Sequence, residues 1–253
     1  MCACSHSNNH QTITFAASKN MEATQNSMKK IAVIVAGGSG TRMQSVIPKQ
    51  FLTINGKPVL YYTLKSFLEA YEDLQIILVL PEEYIASGQE IIDAYFDYQR
   101  ISITAGGRSR FHSVQQGLHL VSEEAIVLVH DGVRCLVSTM LIQRCFEAAL
   151  EMGNAVPAIS CKDSVRLIMA NGNEPIDREM LKLVQTPQAF HSKILLPAFN
   201  IDFKDKFTDE AAVVEAFGIK INLVEGEPEN FKITTPEDLL LAELLLKRKE
   251  RQL

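Results

Sequence analysis

From Lys30 onward the chain alternates short apolar runs of strand length with longer segments of helical periodicity, and this alternation limits the possible folds more than any other feature. Runs rich in β-branched residues occur at Ile31–Ala36, Gln75–Leu80, Ile101–Ala105, Ala125–His130, Asn154–Ile159 and Ile219–Glu225. Between them, Leu60, Leu64, Phe67 and Leu68 share one helix face, and Met140, Leu141, Cys145, Ala148 and Ala149 share another. Strands that are apolar almost throughout and separated by helices predict an α/β fold. Its sheet is mostly parallel, helices cover both faces, and ligands bind beyond the carboxyl ends of the strands. Phe51, Tyr61, Tyr62 and Phe67 read as core and helix-face residues of this architecture.

Two stretches depart from the pattern. Residues 161–188 mix charge, Gly, Pro and isolated β-branched residues without a helix of useful length. So long a loop is unusual inside a compact domain, and it predicts short strands packed on something, most simply a partner subunit. The first 28 residues are polar, nearly uncharged and aperiodic, and predict a disordered leader ahead of a single domain over 29–253. Cys2, Cys4, His6 and His10 stand there at spacings that do not match a zinc finger. A transit peptide or a start at Met21 or Met28 are the other readings of that segment. A closing helix is expected over Pro236–Arg251, burying Leu239, Leu240, Ala242, Leu244 and Leu245.

Composition excludes several classes of function. A net charge of −5 over 253 residues gives no general attraction to nucleic acid or an anionic membrane. No apolar run approaches the ~20 residues that cross a bilayer. Five cysteines, an odd number scattered through the chain, point to a reducing compartment, and the expected location is the cytoplasm.

The first apolar run leads into "AVIVAGGSGTRM", residues 32–43. A dinucleotide fingerprint would require glycine where Met43 stands, and a P-loop would require Gly-Lys-Ser/Thr after a four-residue spacer. What remains is a strand ending in small residues whose backbone N–H groups can approach an anion, with Arg42 beside it and Lys49 seven residues on. Two cations on one loop suit a polyphosphate; a plain tight turn with solvated cations is the alternative. His112, His119 and His130 read as packed or solvated residues, and Cys135, with no activating partner in sequence, as structural.

"AGGSGTRM…PKQF" resembles the signature of nucleotidyltransferases that join a nucleoside triphosphate to a sugar or polyol phosphate. The blocks "GGRSRFHSV" (106–114), "VHDGVR" (129–134), "KDSVRL" (162–167), "IDREMLKLVQTPQAF" (176–190), "TDEA" (208–211) and "ENFKITTPEDL" (229–239) follow in the order and spacing of the 2-C-methyl-D-erythritol 4-phosphate cytidylyltransferase family. The resemblance runs from Ile31 to Leu245. It implies a Rossmann-like α/β fold with a protruding β-arm for dimerisation, and CTP and methylerythritol phosphate as substrates in non-mevalonate isoprenoid biosynthesis. Mg²⁺ or another divalent cation is implied as cofactor.

By the same resemblance, Arg42 and Lys49 hold the triphosphate and Lys232 contacts the α-phosphate or the incoming phosphate. Asp131 meets the ribose, a metal-bound water or the acceptor, against its plain reading as a helix N-cap. Ala36, Gly37, Gly38, Gly40, Gly107 and Ser113 are implied to bind CTP, and Arg134, Ser164, Arg178 and Thr186 the acceptor. Ser164 stands where threonine is commoner, Cys135 where proline is usual, and Arg108 where some members carry an acid. A relative using ribitol 5-phosphate would share the CTP half, and a non-catalytic nucleotide-binding protein is the reading from a different class.

Overall fold

A computed structural model describes residues 28–38, 47–121 and 124–251, with nothing given for the side chain of residue 250. The expected leader, apart from Met28, and the loop residues Gly40 and Arg42 lie outside the described residues. The chain runs β1 (Lys29–Val35), β2 (Thr53–Ile54), β3 (Lys57–Pro58), α1 (Val59–Ala70), β4 (Gln75–Leu80), α2 (Ile85–Tyr95), β5 (Ile101–Ala105), α3 (Arg110–Leu118), β6 (Ala125–Asp131), α4 (Thr139–Met152) and β7 (Asn154–Ser160). It continues with β8 (Val165–Met169), β9 (Gly172–Ile176), β10 (Lys182–Val184), β11 (Gln188–His191), α5 (Ser192–Ala198), α6 (Glu210–Ala216), β12 (Leu223–Glu225) and α7 (Pro236–Glu250).

The main sheet has the order β10-β7-β11-β6-β1-β4-β5, with β12 also paired to β7. β5, β4, β1 and β6 are mutually parallel, and β12 is parallel to β7, while β11 runs antiparallel to both β6 and β7. The sheet is therefore mixed: β6, β1, β4 and β5 form a parallel block that runs to one edge, and β11 is inserted antiparallel beside it. The alternation hidden in the uniformly apolar runs becomes visible once the two faces are separated. Ala32 and Ile34 of β1, Ile76 and Leu78 of β4 and Ile126 and Leu128 of β6 pack with Leu60, Leu64 and Phe67 of α1 and Leu141 and Cys145 of α4. Val33, Ile77, Val127 and Val129 face the other way, onto Phe111 and Val114 of α3, Leu195 of α5 and Val214 of α6. A strand covered on both faces has no polar side to mark its period, which is why these segments read as continuous runs.

From β1 the chain steps outward to β4 and β5, then returns across the sheet to β6. α1 and α2 thus cover one face and α3 the other, as right-handed crossovers require. The strand order reverses at β1, between β4 and β6, and opens a crevice at their carboxyl ends.

Three expectations are corrected. Met140 is 64% exposed and lies outside the packed face of α4, formed by Leu141, Ile142, Cys145, Phe146 and Ala149. In α7, Ala242, Leu239 and Leu245 pack against Val59 and Ile233, but Leu240 and Leu244 are exposed, because leucines surround this helix and periodicity alone cannot choose its buried side. The strand expected over Ile219–Glu225 shortens to Leu223–Glu225. Asn154 takes over the earlier residues, its side chain donating to Lys220 O (3.0 Å) and accepting from Asn222 N (2.8 Å).

Residues 161–188 do carry short strands. β8 and β9 form an antiparallel hairpin separate from the main sheet. Ile168, Met169 and, beyond the hairpin, Met180 and Leu183 are exposed.

Candidate active site

The crevice at the switch point is a cleft of about 360 Å³. β1 delivers Ala36, whose N–H donates to Val79 O (2.9 Å) and whose carbonyl accepts from Gln50 Nε2 (2.7 Å). Gln50 is almost fully buried in the short 3-10 turn Lys49–Phe51, so the loop returning from the glycine-rich segment is pinned to the end of the first strand. Lys49, from the same turn, donates from Nζ to Ile233 O (2.8 Å). Among the described residues, a Cβ added at Gly37 would meet nothing closer than Ser113 Oγ at 3.8 Å, so their packing does not demand glycine there.

The opposite wall is the turn into α3. Ser109 caps that helix, and Gly107 N donates to Ser113 Oγ (3.1 Å), which folds the turn back on the first helical residues. A Cβ at Gly107 would sit 2.5 Å from His112 Cβ, so this close approach needs glycine. Arg108 also lines the cleft, and its Nε donates to His112 Nε2 (3.3 Å). His112 and Ser109 form a rim contact, with the ring against Phe203.

A group of charges closes the floor. Asp131, the last residue of β6, receives Arg110 Nε on Oδ1 (3.0 Å) and both Arg134 Nε (3.3 Å) and Lys232 Nζ (3.1 Å) on Oδ2. Burial alone would raise its pKa, but Arg110, Lys232 and Arg134 prevail and hold the carboxyl well below the usual carboxylate range. Asp131 caps no helix, since Ser138 is the N-cap of α4. Behind Arg110 stands Glu210, 1% exposed, which accepts from both Nη atoms, the Nη2 bond measuring 3.1 Å. Burial pushes the Glu210 carboxyl up while Arg110 opposes it; for Arg110, burial is outweighed by the Glu210 and Asp131 carboxylates and the guanidinium keeps its proton.

Lys232 reaches the cleft because Ile233 is fully buried and its N–H donates to Val133 O (3.1 Å). Thr235 then opens α7 with a capping box closed by Asp238.

Of the residues singled out in sequence, Ala36, Gly37, Gly38, Lys49, Gly107, Ser113, Asp131 and Lys232 line this cleft together. Arg134 and Thr186 lie just beneath it. Arg134 Nη1 donates to Asn230 O (2.9 Å), and Thr186 Oγ1 accepts from Asp131 N (3.1 Å) and contacts His130 Nδ1 (2.9 Å). Ser164 and Arg178 belong to the exposed arm; Arg178 Nη1 donates to Lys162 O (2.9 Å), and neither residue lines the cleft of its own chain. Sequence reasoning assigned no role to Gln50, Arg110 or Glu210. Arg110 and Glu210 stand inside the quoted blocks "GGRSRFHSV" and "TDEA", but nothing in either block shows that they meet across 100 positions.

The sequence model of the 2-C-methyl-D-erythritol 4-phosphate cytidylyltransferases matches residues 30–248. The chain belongs to this family. A cytidylyltransferase of that name from Bacteroides fragilis is 48% identical over 220 residues, which is 87% of this chain and 100% of the relative. The crystal structure of 4-diphosphocytidyl-2C-methyl-D-erythritol synthase from Anaerococcus prevotii superposes with a TM-score of 0.77 at 29% identity, covering 89% of this chain and 99% of that one. The 2-C-methyl-D-erythritol 4-phosphate cytidylyltransferase of Thermus thermophilus gives a TM-score of 0.67 at 30% identity, over 86% and 99% of the two chains. As expected of a family with this α/β fold, the site is built from loops at strand carboxyl ends. Cys135, the departure from the family's usual proline, is buried, and burial pushes its thiol up to about 12, which suits packing and not nucleophilic chemistry. Among the described residues no helix is long and apolar enough to cross a membrane.

Proposed function

We propose that this chain transfers the cytidylyl group of CTP to 2-C-methyl-D-erythritol 4-phosphate, forming 4-diphosphocytidyl-2-C-methyl-D-erythritol and pyrophosphate. The observation that carries the reading is the cleft itself, in which small residues line both walls and Lys49, Lys232 and Arg110 stand around Asp131, the one lining carboxylate among the described residues. An acceptor phosphate oxygen attacks the α-phosphorus in line; the new P–O bond forms as the bond to the β-phosphate breaks, and pyrophosphate leaves with the bonding electrons. A phosphate monoester supplies its own anionic oxygen, so neither a side-chain nucleophile nor a general base is needed. Asp131, held ionised between three cations, is in any case poorly suited to take a proton. Catalysis then rests on positioning and on cations placed where charge develops.

In this reading Arg42, Lys49 and Lys232 neutralise the triphosphate and the transition state. Backbone groups of Ala36, Gly37 and Gly107, with Ser113, select cytosine. Gly38 and Gly40 let the phosphates come close. Arg134 and Thr186 support the acceptor side through Asp131, and Ser164 and Arg178 complete it from the arm of a second subunit. A divalent cation, expected as Mg²⁺, fits as an ion carried in by the phosphates, because Asp131 is the one carboxylate among the described lining residues and both its oxygens already face cations. When bound with the substrates beside Asp131, it would supply further neutralisation of phosphate charge. The free cysteines Cys135, Cys145 and Cys161 fit a reducing compartment, read here as the cytoplasm.

Pyrophosphate release with CTP, UTP, ATP and GTP at a fixed acceptor concentration tests the donor. CTP should turn over fastest, and equal or faster turnover of a purine nucleotide refutes the pyrimidine-sized site. Exchanging methylerythritol phosphate for ribitol 5-phosphate tests the acceptor in the same assay.

A further inference from the structure

Glu210 is a fully buried carboxylate that does not line the cleft, yet it forms a two-bonded pair with an arginine that does. Burying a carboxylate is costly even when it is paired, and an apolar residue would fill the same volume without that cost. Its backbone is firmly placed. Asp209 caps α6 through Ala212 N (2.9 Å) and accepts from Gln188 Nε2 (2.9 Å), while Gln188 Oε1 accepts from Ala211 N (2.9 Å), so the helix start is tied to β11 of the sheet. With both Nη atoms engaged by Glu210, the plane of the Arg110 guanidinium is set and its Nε–H edge is aimed at Asp131 Oδ1.

We propose that Glu210 is a positioning residue of the transfer site, holding Arg110 so that Arg110 in turn fixes the carboxylate of Asp131 against the floor of the cleft. This rests on the transferase reading above. Two phosphorylated substrates must meet beside Asp131, whose negative charge repels them if it swings upward. With Oδ1 held by Arg110, Oδ2 is the edge shared by Arg134 and Lys232, which keeps the Lys232 ammonium at the mouth of the cleft. Glu210 also offsets the charge of Arg110. Once that offset is removed, the guanidinium is free to rotate toward the substrate phosphates and bind them in the ground state, where the binding does not help the chemical step.

Glu210→Gln removes the charge and keeps the shape. Its kcat should fall by about tenfold or more while KM for CTP stays level or falls, since what is lost is transition-state geometry and not uniform binding. Glu210→Asp should recover part of kcat, and Glu210→Gln added to Arg110→Gln should cost little further. The Arg110 Nε–H resonance, identified by its loss in Arg110→Gln, should exchange slowly in the parent protein and rapidly in Glu210→Gln. An unchanged kcat per folded molecule, a rise in KM alone, or full additivity with Arg110→Gln overturns the proposal. Should Glu210→Gln fail to fold, Glu210→Asp carries the same comparison. A parent protein inert toward CTP refutes the transferase reading instead, and the exchange of Arg110 Nε–H then decides the positioning role by itself.

Discussion

At the level of single residues, His130 shows how burial sets a pH response. Its ring is wholly buried against Phe67, and its nitrogens meet Thr186 Oγ1 (2.9 Å) and Arg134 O (3.3 Å). Thr186 accepts from Asp131 N–H, so its own O–H is left to donate to Nδ1, and the remaining ring N–H at Nε2 donates to the Arg134 carbonyl. Burial pushes the His130 pKa down to about 3, with Asp131 opposing it and Arg134 and Arg110 assisting. Between that value and the ordinary histidine value of about 6.5, the unfolded chain binds the extra proton, so stability falls as pH falls. From pH 7 to pH 5 this amounts to about 2 kcal/mol. Urea unfolding at both pH values should show His130→Gln losing less stability than the parent by about that amount, and equal losses would contradict the buried neutral ring. His191, also shifted down by burial, adds the same slope to both proteins and cancels. Asp131 is shifted down, so its contribution is lost only below the ordinary carboxylate range, outside this window.

At the level of elements, the start of α7 joins helix stability to the position of Lys232. Asp238 Oδ2 accepts from Thr234 N (2.8 Å), Thr234 Oγ1 (2.7 Å) and Thr235 N (2.9 Å), whereas Thr235 Oγ1 accepts only the longer bond from Asp238 N (3.4 Å). Thr235→Ala should cost about 1 kcal/mol, the usual scale for an N-cap, and leave turnover nearly unchanged. Asp238→Ala releases the segment that carries Lys232 and should lower kcat as well. Chemical denaturation and pyrophosphate release on both variants test this, and equal effects on turnover would break the link. The closing helix itself was legible over Pro236–Arg251, because helical periodicity is a local signal. The buried face of α7 was not, because six leucines surround its axis and only the neighbouring elements decide which of them are covered.

At the level of the whole molecule, residues 161–188 carry a hairpin that stands apart from the main sheet. An isolated two-stranded hairpin is marginal in water, and this one exposes Ile168 (77%) and Met169 (52%). In the proposed dimer a second copy of the chain covers them, and Ser164 and Arg178 complete the partner's cleft. Lys232→Ala should lower kcat by ~10²-fold, the scale for one lost transition-state electrostatic contact, and Arg178→Ala should also be poorly active. After subunit exchange, half the dimers in an equal mixture are hybrids, each with one intact site. Activity should return to about a quarter of the parent value. If the arm serves its own chain, mixing restores nothing even when native mass spectrometry shows that subunits have exchanged.

The strand runs from Ile31 to His130, the glycine-rich end of β1, the helix caps and the irregular character of 161–188 were determined by the sequence itself, because periodicity, turn chemistry and capping act over a few residues. The same local chemistry marked Lys49 beside the loop, whereas Asp131 and Lys232 were singled out only through the family blocks that contain them. Tertiary structure alone decided that Gln50 holds the Ala36 carbonyl, that Arg134 and Thr186 sit beneath Asp131, and that Glu210 grips Arg110. These pairings depend on the return of β6 to the side of β1 and on the antiparallel insertion of β11, which bring distant segments within hydrogen-bond reach. A buried ion pair carries no periodic signal: each partner read alone is an ordinary surface charge, and only the low-dielectric contact between them makes it part of a site.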